Sequence, residues 1–259
     1  MTAQLEFSSR THPGLIRSLN EDSVAVDPGV GAVVVADGLA AHRGAELAAE
    51  ITTTVILERL RESTRNAAND ALEGAIASAH RAIRIRSKAE PMLDGMGATF
   101  VTALFRDGSL AVAHVGDTRI YRFRDGQLEC LTVDHSFVQE QLARGAVTAE
   151  EARASKSRNL VTRALGVAEE AHAELAEHET RAGDLYLLCT DGLHEVVDND
   201  DIAAALEVLG ANLDLTAETL IKMANDRGGR DNISVALVRI GPADGARKRG
   251  VFDSIFGRR

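Results

Sequence analysis

Four short acidic motifs carry the chemistry that this chain could perform: Asn20-Glu21-Asp22, Asp37-Gly38, Asp191-Gly192 and Asp231-Asn232. Three of them border apolar runs. Gly31–Ala36 leads into Asp37, Asp184–Thr190 leads into Asp191, and Asp231-Asn232 opens Ile233–Val238. Carboxylates at the ends of buried strands can converge at one edge of a sheet. Gathered there without cations they repel one another strongly, and a divalent metal is the usual neutraliser. The pattern predicts an oxygen-liganded metal site. Asp-Gly is also a common turn dipeptide, so each instance has to be weighed against that use. Asp107-Gly108 and Asp125-Gly126 join strand-like runs and read as hairpin turns. Asp37-Gly38 and Asp191-Gly192 instead pass from a strand into helix-like sequence.

The elements that must position these residues are legible from periodicity. Val30–Ala36 and Leu185–Thr190 are continuous apolar runs, expected of strands covered on both faces. Thr99–Phe105 with Leu110–Val115, and Arg119–Arg124 with Gln127–Leu131, read as two hairpins. Leu47, Ile51 and Val55 mark one helical stripe, and Leu72, Ile76, Ala79 and Ile83 a second. Ile202, Leu206 and Leu209 mark a third, and Leu213, Ala217, Leu220 and Ala224 a fourth. Two helices early, two late and antiparallel hairpins between them suit an α+β layered sandwich. From Asp134 to Gly166 the sequence turns polar and basic, as a flap over a site or a helical connector would.

Composition narrows the classes. A chain of 259 residues with 45% hydrophobic and 26% charged residues is an ordinary globular protein. With no tryptophan and 3% aromatics, its core must be built from Ala, Val, Leu and Ile. A net charge of −10 argues against nucleic acid or an anionic membrane as the main partner. Cys130 and Cys189 show neither metal-finger spacing nor a disulfide framework. Residues 1–10 are mixed polar, without a signal-peptide pattern, and no apolar run reaches bilayer length. A cytoplasmic protein without a transmembrane segment is expected. None of His42, His80, His114, His135, His172, His178 and His194 has paired metal-ligand spacing. His42, five residues beyond Asp37, stands nearest the acidic motifs.

Eight motifs in order resemble the metal-dependent Ser/Thr protein phosphatases, the PPM or type-2C family, in its bacterial form. Thr11-His12-Pro13-Gly14-Leu15-Ile16-Arg17 with Asn20-Glu21-Asp22-Ser23 resembles the opening motif, and Val35-Ala36-Asp37-Gly38 the first metal motif. Gly95-Met96-Gly97-Ala98-Thr99, His114-Val115-Gly116-Asp117-Thr118-Arg119 and Asp134-His135-Ser136 follow, then Arg158–Gly166. Cys189-Thr190-Asp191-Gly192-Leu193 and Gly229-Arg230-Asp231-Asn232-Ile233-Ser234 complete the set, so the resemblance runs from about Thr11 to Val238.

The resemblance implies a four-layer α-β-β-α sandwich, two central antiparallel sheets flanked by helices, in one catalytic domain over 1–240. Within it 134–166 would be a flap-like insertion, and 241–259 a basic tail. It implies two Mn2+ or Mg2+ ions with a weaker third. Asp37 would bridge both core ions, the Gly38 carbonyl would ligate the second, and Asp191 and Asp231 would hold the first. Asp22 would orient metal-bound water, Arg17 would grip the substrate phosphate, and Asp117 with Asp191 would match the third site. Hard oxygen ligands suit these metals, and a bidentate guanidinium suits phosphate. The expected reaction is attack of water on phosphoserine or phosphothreonine in proteins, by a monomer that reverses a Ser/Thr kinase. The alternative is a pseudophosphatase that binds phosphoproteins without turnover.

Several positions depart from the family pattern. Leu39-Ala40-Ala41-His42 stands where Met-Gly-Gly-His is usual, so a positive φ at either alanine would be strained. Such a turn either relaxes into the following helix or weakens the second metal. Leu39 also replaces the general-acid histidine of eukaryotic relatives, His12 a common aspartate and His80 a common asparagine. In the tail, Val251, Phe252, Ile255 and Phe256 interleave with basic residues, as in a docking helix or a frayed terminus.

Overall fold

Apolar residues on both faces of a strand demand cover on both sides, and the fold supplies it in four layers. The computed structural model describes residues 3–40, 43–155, 157 and 160–243; His42 and the tail beyond Ala243 lie outside the described residues. One sheet has the order β1 (Ala3–His12), β10 (Ile233–Ala243), β9 (Leu185–Cys189), β6 (Arg119–Arg124), β7 (Gln127–Cys130). The other runs β2 (Asp22–Asp27), β3 (Ala32–Leu39), β4 (Gly97–Arg106), β5 (Ser109–Val115), β8 (Glu174–Glu179). Every pairing is antiparallel.

Side-chain alternation divides each buried strand between two cores. In β3, Val33 and Val35 face the space between the sheets, while Ala32, Val34 and Ala36 face helices α1 (Ala45–Glu62) and α2 (Ala68–Ala89). In β9, Tyr186 and Leu188 enter the central core, while Leu185, Leu187 and Cys189 face the late helices. These are α5 (Asp191–His194), α6 (Asn199–Leu209) and α7 (Leu213–Asp226). Phe105 meets Tyr186 edge-on across the central layer, with ring centroids 5.3 Å apart. The Tyr186 hydroxyl donates to buried Asp184, which also takes two hydrogen bonds of 2.6 Å from Arg124.

Both expected hairpins form on two-residue turns. Asp107 and Gly108 have φ of 51° and 81°, Asp125 and Gly126 51° and 76°, the left-handed geometry of a type I′ turn. The α2 and α7 stripes are buried as the periodicity predicts. Helix α1 differs: its inner face is Ala45, Ala48, Ala49, Thr52, Ile56 and Leu60, with Leu47, Ile51 and Val55 at the flank. A four-residue row drifts about 40° per step around a helix, and small residues let α1 lie close against the sheet.

Between β7 and β8, α3 (Phe137–Ala143) and α4 (Ala149–Ala154) have N-caps at Ser136 and Thr148, the latter a full capping box with Glu151. No residue of α3 is buried. The ends of this excursion are pinned by bridges between Ser136 and Val161 and between Ala98 and Leu165. His80 helps at the base, where its Nδ1 accepts the Gly166 N–H at 3.0 Å.

Candidate metal centre

The site forms where strand ends from both sheets meet at one rim. Antiparallel register places Asp22 of β2 directly opposite Asp37 of β3, a like-charge pair that disfavours its own strand pairing. From the other sheet, β9 ends beside Thr190, Asp191 opens α5, and Asp231 lies two residues before β10 begins. Thr190 joins the two sides: its hydroxyl donates to Asp22 Oδ2 at 2.9 Å and accepts the Ser234 N–H at 3.0 Å. Asp22 and Asp117 are buried, whereas Asp37, Asp191 and Asp231 keep a face open to solvent.

Glycines permit the close approach. A Cβ at Gly38 would lie 2.0 Å from the Ala45 carbonyl oxygen, and one at Gly192 would lie 1.9 Å from that of Asn232. The turn after Gly38 contains no left-handed alanine at Ala40, since the described non-glycine residues with positive φ are Asp107 and Asp125. Gly44, with φ of 101°, provides the left-handed residue that starts α1.

The loop between β1 and β2 brings Arg17 to the same rim. Its Nη2 donates to Asp231 Oδ2 at 2.8 Å, with both side chains about half exposed. His12 closes the loop's first turn by accepting the Gly14 N–H on Nδ1. Gly14 packs against the Gly229 and Asp231 carbonyls, where a Cβ would lie 2.6 and 2.3 Å from the two oxygens.

Burial and mutual repulsion raise acidic side chains at this rim. Burial holds the Asp37 carboxyl well above its ordinary value, and the charges of Asp191, Asp22, Asp117 and Asp231 push it further. Asp191 is raised in the same way, by burial first and then by Asp117 and Asp231. Burial pushes Asp22 up to about 6, against the hydrogen bonds of Ser234 and Thr190. Burial and the Asp134 charge push Asp117 up to about 6. Asp22 Oδ1 is buried without a hydrogen-bond partner. An all-oxygen donor set, excess negative charge, an orphaned buried oxygen and an open face fit hard divalent cations.

A second cluster answers differently. Atoms of His114, His135 and Glu174 come within 4.8 Å of one another. The rings stack at 4.7 Å with 20° between planes. His114 Nε2 donates to the Val133 carbonyl, His135 Nδ1 accepts the Gly116 N–H, and its Nε2 faces Glu174 at 3.2 Å. This is a brace between strands.

Residues 17–226 match the protein phosphatase 2C family. The chain belongs to that family. One relative, the serine/threonine protein phosphatase PstP of Mycobacterium tuberculosis, is 35% identical over 240 residues, covering 93% of this chain and 46% of the relative. The chain thus spans about half that protein's length. The serine/threonine phosphatase stp of Listeria monocytogenes is 33% identical over 238 residues, covering 88% of this chain and 93% of the relative. The crystal structure of Mycobacterium tuberculosis PstP superposes with a TM-score of 0.87 at 34% identity, over 93% of this chain and all of that one. The PstP catalytic domain in complex with two manganese ions gives 0.85 at the same identity and coverage.

The structure thus gathers Arg17, Asp22, Asp37, Gly38, Asp117, Asp191 and Asp231 at one rim. Sequence reading passed over three groups there: Thr190 and Ser234, which hold Asp22, and Asn232, which holds the Arg17 loop. His194, which has no paired metal-ligand spacing in the sequence, sits beside Asp117. It is half-buried, its Nε2 donates to the Asp117 carbonyl at 3.0 Å, and desolvation drives it down to about 3, hence neutral. The Asp-Asn pairing in Asp231-Asn232 was the available signal for Asn232.

Proposed function

We propose that this protein hydrolyses phosphoserine and phosphothreonine in proteins, with two Mn2+ or Mg2+ ions at the rim. The observation that carries this reading is the convergence of carboxylates from both sheets at one rim, beside the half-exposed Arg17. Asp37 would reach both ions, with the Gly38 carbonyl on the second and Asp191 and Asp231 on the first; Asp117 with Asp191 would hold a weaker third. When bound, the ions offset charge on the phosphoryl oxygens and acidify an attacking water. The chain's own residues supply the remainder. Arg17 binds the phosphate, and its exposed pairing with Asp231 is worth only about 0–1 kcal/mol, so the guanidinium can change partners readily. Asp22, anchored by Thr190, orients the water and accepts a hydrogen bond from it. No side chain is needed as a covalent nucleophile.

Beside Asp117 a cleft of about 500 Å3 runs between the rim and α3–α4, lined by Arg119, Asp134, Leu142, Ala152 and Glu195 among others. We assign this cleft to the substrate chain and residues 134–166 to a flap over it, within one catalytic domain over 1–240. A monomeric, cytoplasmic enzyme opposing a Ser/Thr kinase is the setting we infer; among the described residues no helix is long and apolar enough to cross a membrane.

The test is hydrolysis of an aryl phosphate and a phosphothreonine peptide with and without Mn2+, with Asp191→Asn as control. Metal-dependent turnover of both, abolished in a folded Asp191→Asn protein, is expected. No turnover in a protein that calorimetry shows to bind at most one ion would replace this reading with phosphoprotein binding alone.

A further inference from the structure

The Arg17 side chain is long and half exposed, and its own bond to Asp231 is weak, so something else must fix where it projects. The loop of residues 13–21 has no regular secondary structure. Gly229 holds its middle by accepting the Leu15 and Ile16 N–H groups at 2.7 and 3.2 Å. The two ends converge on one buried side chain, Asn232, which is 4% exposed. Its Nδ2 donates to the Pro13 and Leu19 carbonyls at 3.0 and 2.9 Å, and its Oδ1 accepts the Glu21 N–H at 2.7 Å. The amide's orientation is fixed by chemistry: two carbonyls can only accept and a backbone N–H can only donate. Arg17 lies between the pinned carbonyls, and Asp22 follows the pinned Glu21.

We propose that Asn232 is the positioning residue of the phosphate grip, acting through the 13–21 loop to set the Arg17 guanidinium beside Asp231. Both Nδ2 hydrogens and one Oδ1 lone pair are used, a set that no other side chain of that length supplies. An aspartate would set its oxygens against two carbonyls, and an alanine would leave buried backbone groups unpaired. The backbone of the same residue has a separate task, donating its N–H to Asp231 Oδ1 at 2.9 Å, and side-chain substitutions leave that bond in place. This inference rests on Arg17 as the phosphate ligand.

The test is a double-mutant cycle of Asn232→Ala and Arg17→Ala, in saturating Mn2+, on the phosphothreonine peptide. Inorganic phosphate and Mn2+ affinities are measured by calorimetry for each protein. Misplacing a binding group should raise KM about tenfold to a hundredfold for Asn232→Ala. The same change made in Arg17→Ala should alter KM by less than about twofold, because residues acting as one unit are not additive. An equal rise in both backgrounds overturns the proposal, as does an unchanged KM accompanied by weakened Mn2+ binding. Should Asn232→Ala fail to fold, Asn232→Gln retains the amide with one methylene too many. It should raise KM in the wild-type background only, and a wild-type KM or a rise in both backgrounds refutes the assignment. A wild-type protein without turnover would count against the phosphatase reading, while phosphate binding across the cycle would still decide the role of Asn232.

Discussion

Asp22→Asn should stabilise the metal-free protein while abolishing turnover. Asp22 is buried, one of its oxygens has no partner, and it faces Asp37 across the β2–β3 ladder. Burial raises its carboxyl from 3.8 to about 6. A group whose folded value is raised contributes stability that is fully present below its unfolded value and is lost as pH rises through the folded one. The loss for Asp22 therefore develops between about pH 4 and pH 6 and is complete at neutral pH. Two units at about 1.4 kcal/mol each give about 3 kcal/mol, or about 6–12 °C in Tm for a domain of this size. Asparagine has no charge to desolvate. Its Oδ1 can keep the Thr190 bond, and its Nδ2 can donate to Asp37 from the position of the orphaned oxygen. Urea unfolding in EDTA from pH 4 to 8 should give nearly equal stabilities at pH 4, and a gap that widens to pH 6–7 and then levels. Saturating Mn2+ should shrink or reverse the gap, because ions that bind only the folded wild type stabilise it. A variant less stable at every pH, or a gap independent of pH, would refute the claim that Asp22 is held in an electrostatically costly site awaiting a cation.

Other perturbations address different levels of the structure. Gly192→Ala should lower stability by about 3 kcal/mol and reduce Mn2+ affinity, since its Cβ would lie 1.9 Å from the Asn232 carbonyl beside Asp191; urea unfolding and calorimetry check both. Arg124→Met leaves the Asp184 carboxylate buried and unpaired, and should cost about 3–5 kcal/mol at pH 7. Burial alone would raise Asp184, but Arg124, the Arg181 N–H and Tyr186 hold it below its ordinary value. The stability this provides is present above about pH 4 and lost as pH falls through the depressed value, so the two proteins should converge in acid unfolding. His80→Leu orphans the Gly166 N–H and should cost about 1–3 kcal/mol. His80→Asn, which restores the family's common residue and an acceptor, should cost less in the same unfolding measurement.

Local signals were readable where local physics decides. Asp107-Gly108 and Asp125-Gly126 announce hairpins because few residue pairs tolerate two successive left-handed conformations. Leu72, Ile76, Ala79 and Ile83 announce α2 because a long amphipathic stripe has one way to be buried. Strands β1, β2 and β8 carried no comparable signal: the side chains of Glu174–Glu179 are mostly exposed, and β1 gains its partner, β10, from the far end of the chain. The stripe of Leu47, Ile51 and Val55 runs along the flank of α1, because Ala45, Ala48 and Ala49 make the close contact and Ile56 and Leu60 continue the inner face.

The donor chemistry was legible in the residue types alone: hard oxygen ligands, one arginine, no thiolate or histidine cage, and glycines beside two of the aspartates. Motif order was enough to identify the family, because each motif fixes residue types at a strand end. It took the folded chain to set Asp22 against Asp37, to bring Thr190 across from the other sheet to hold it, and to pair Arg17 with Asp231. The same fold lets Asn232 gather Pro13, Leu19 and Glu21 around one amide. Those partners lie up to 219 residues apart, and a hydrogen bond between them depends on the register of two sheets packed face to face, which no local window of sequence contains.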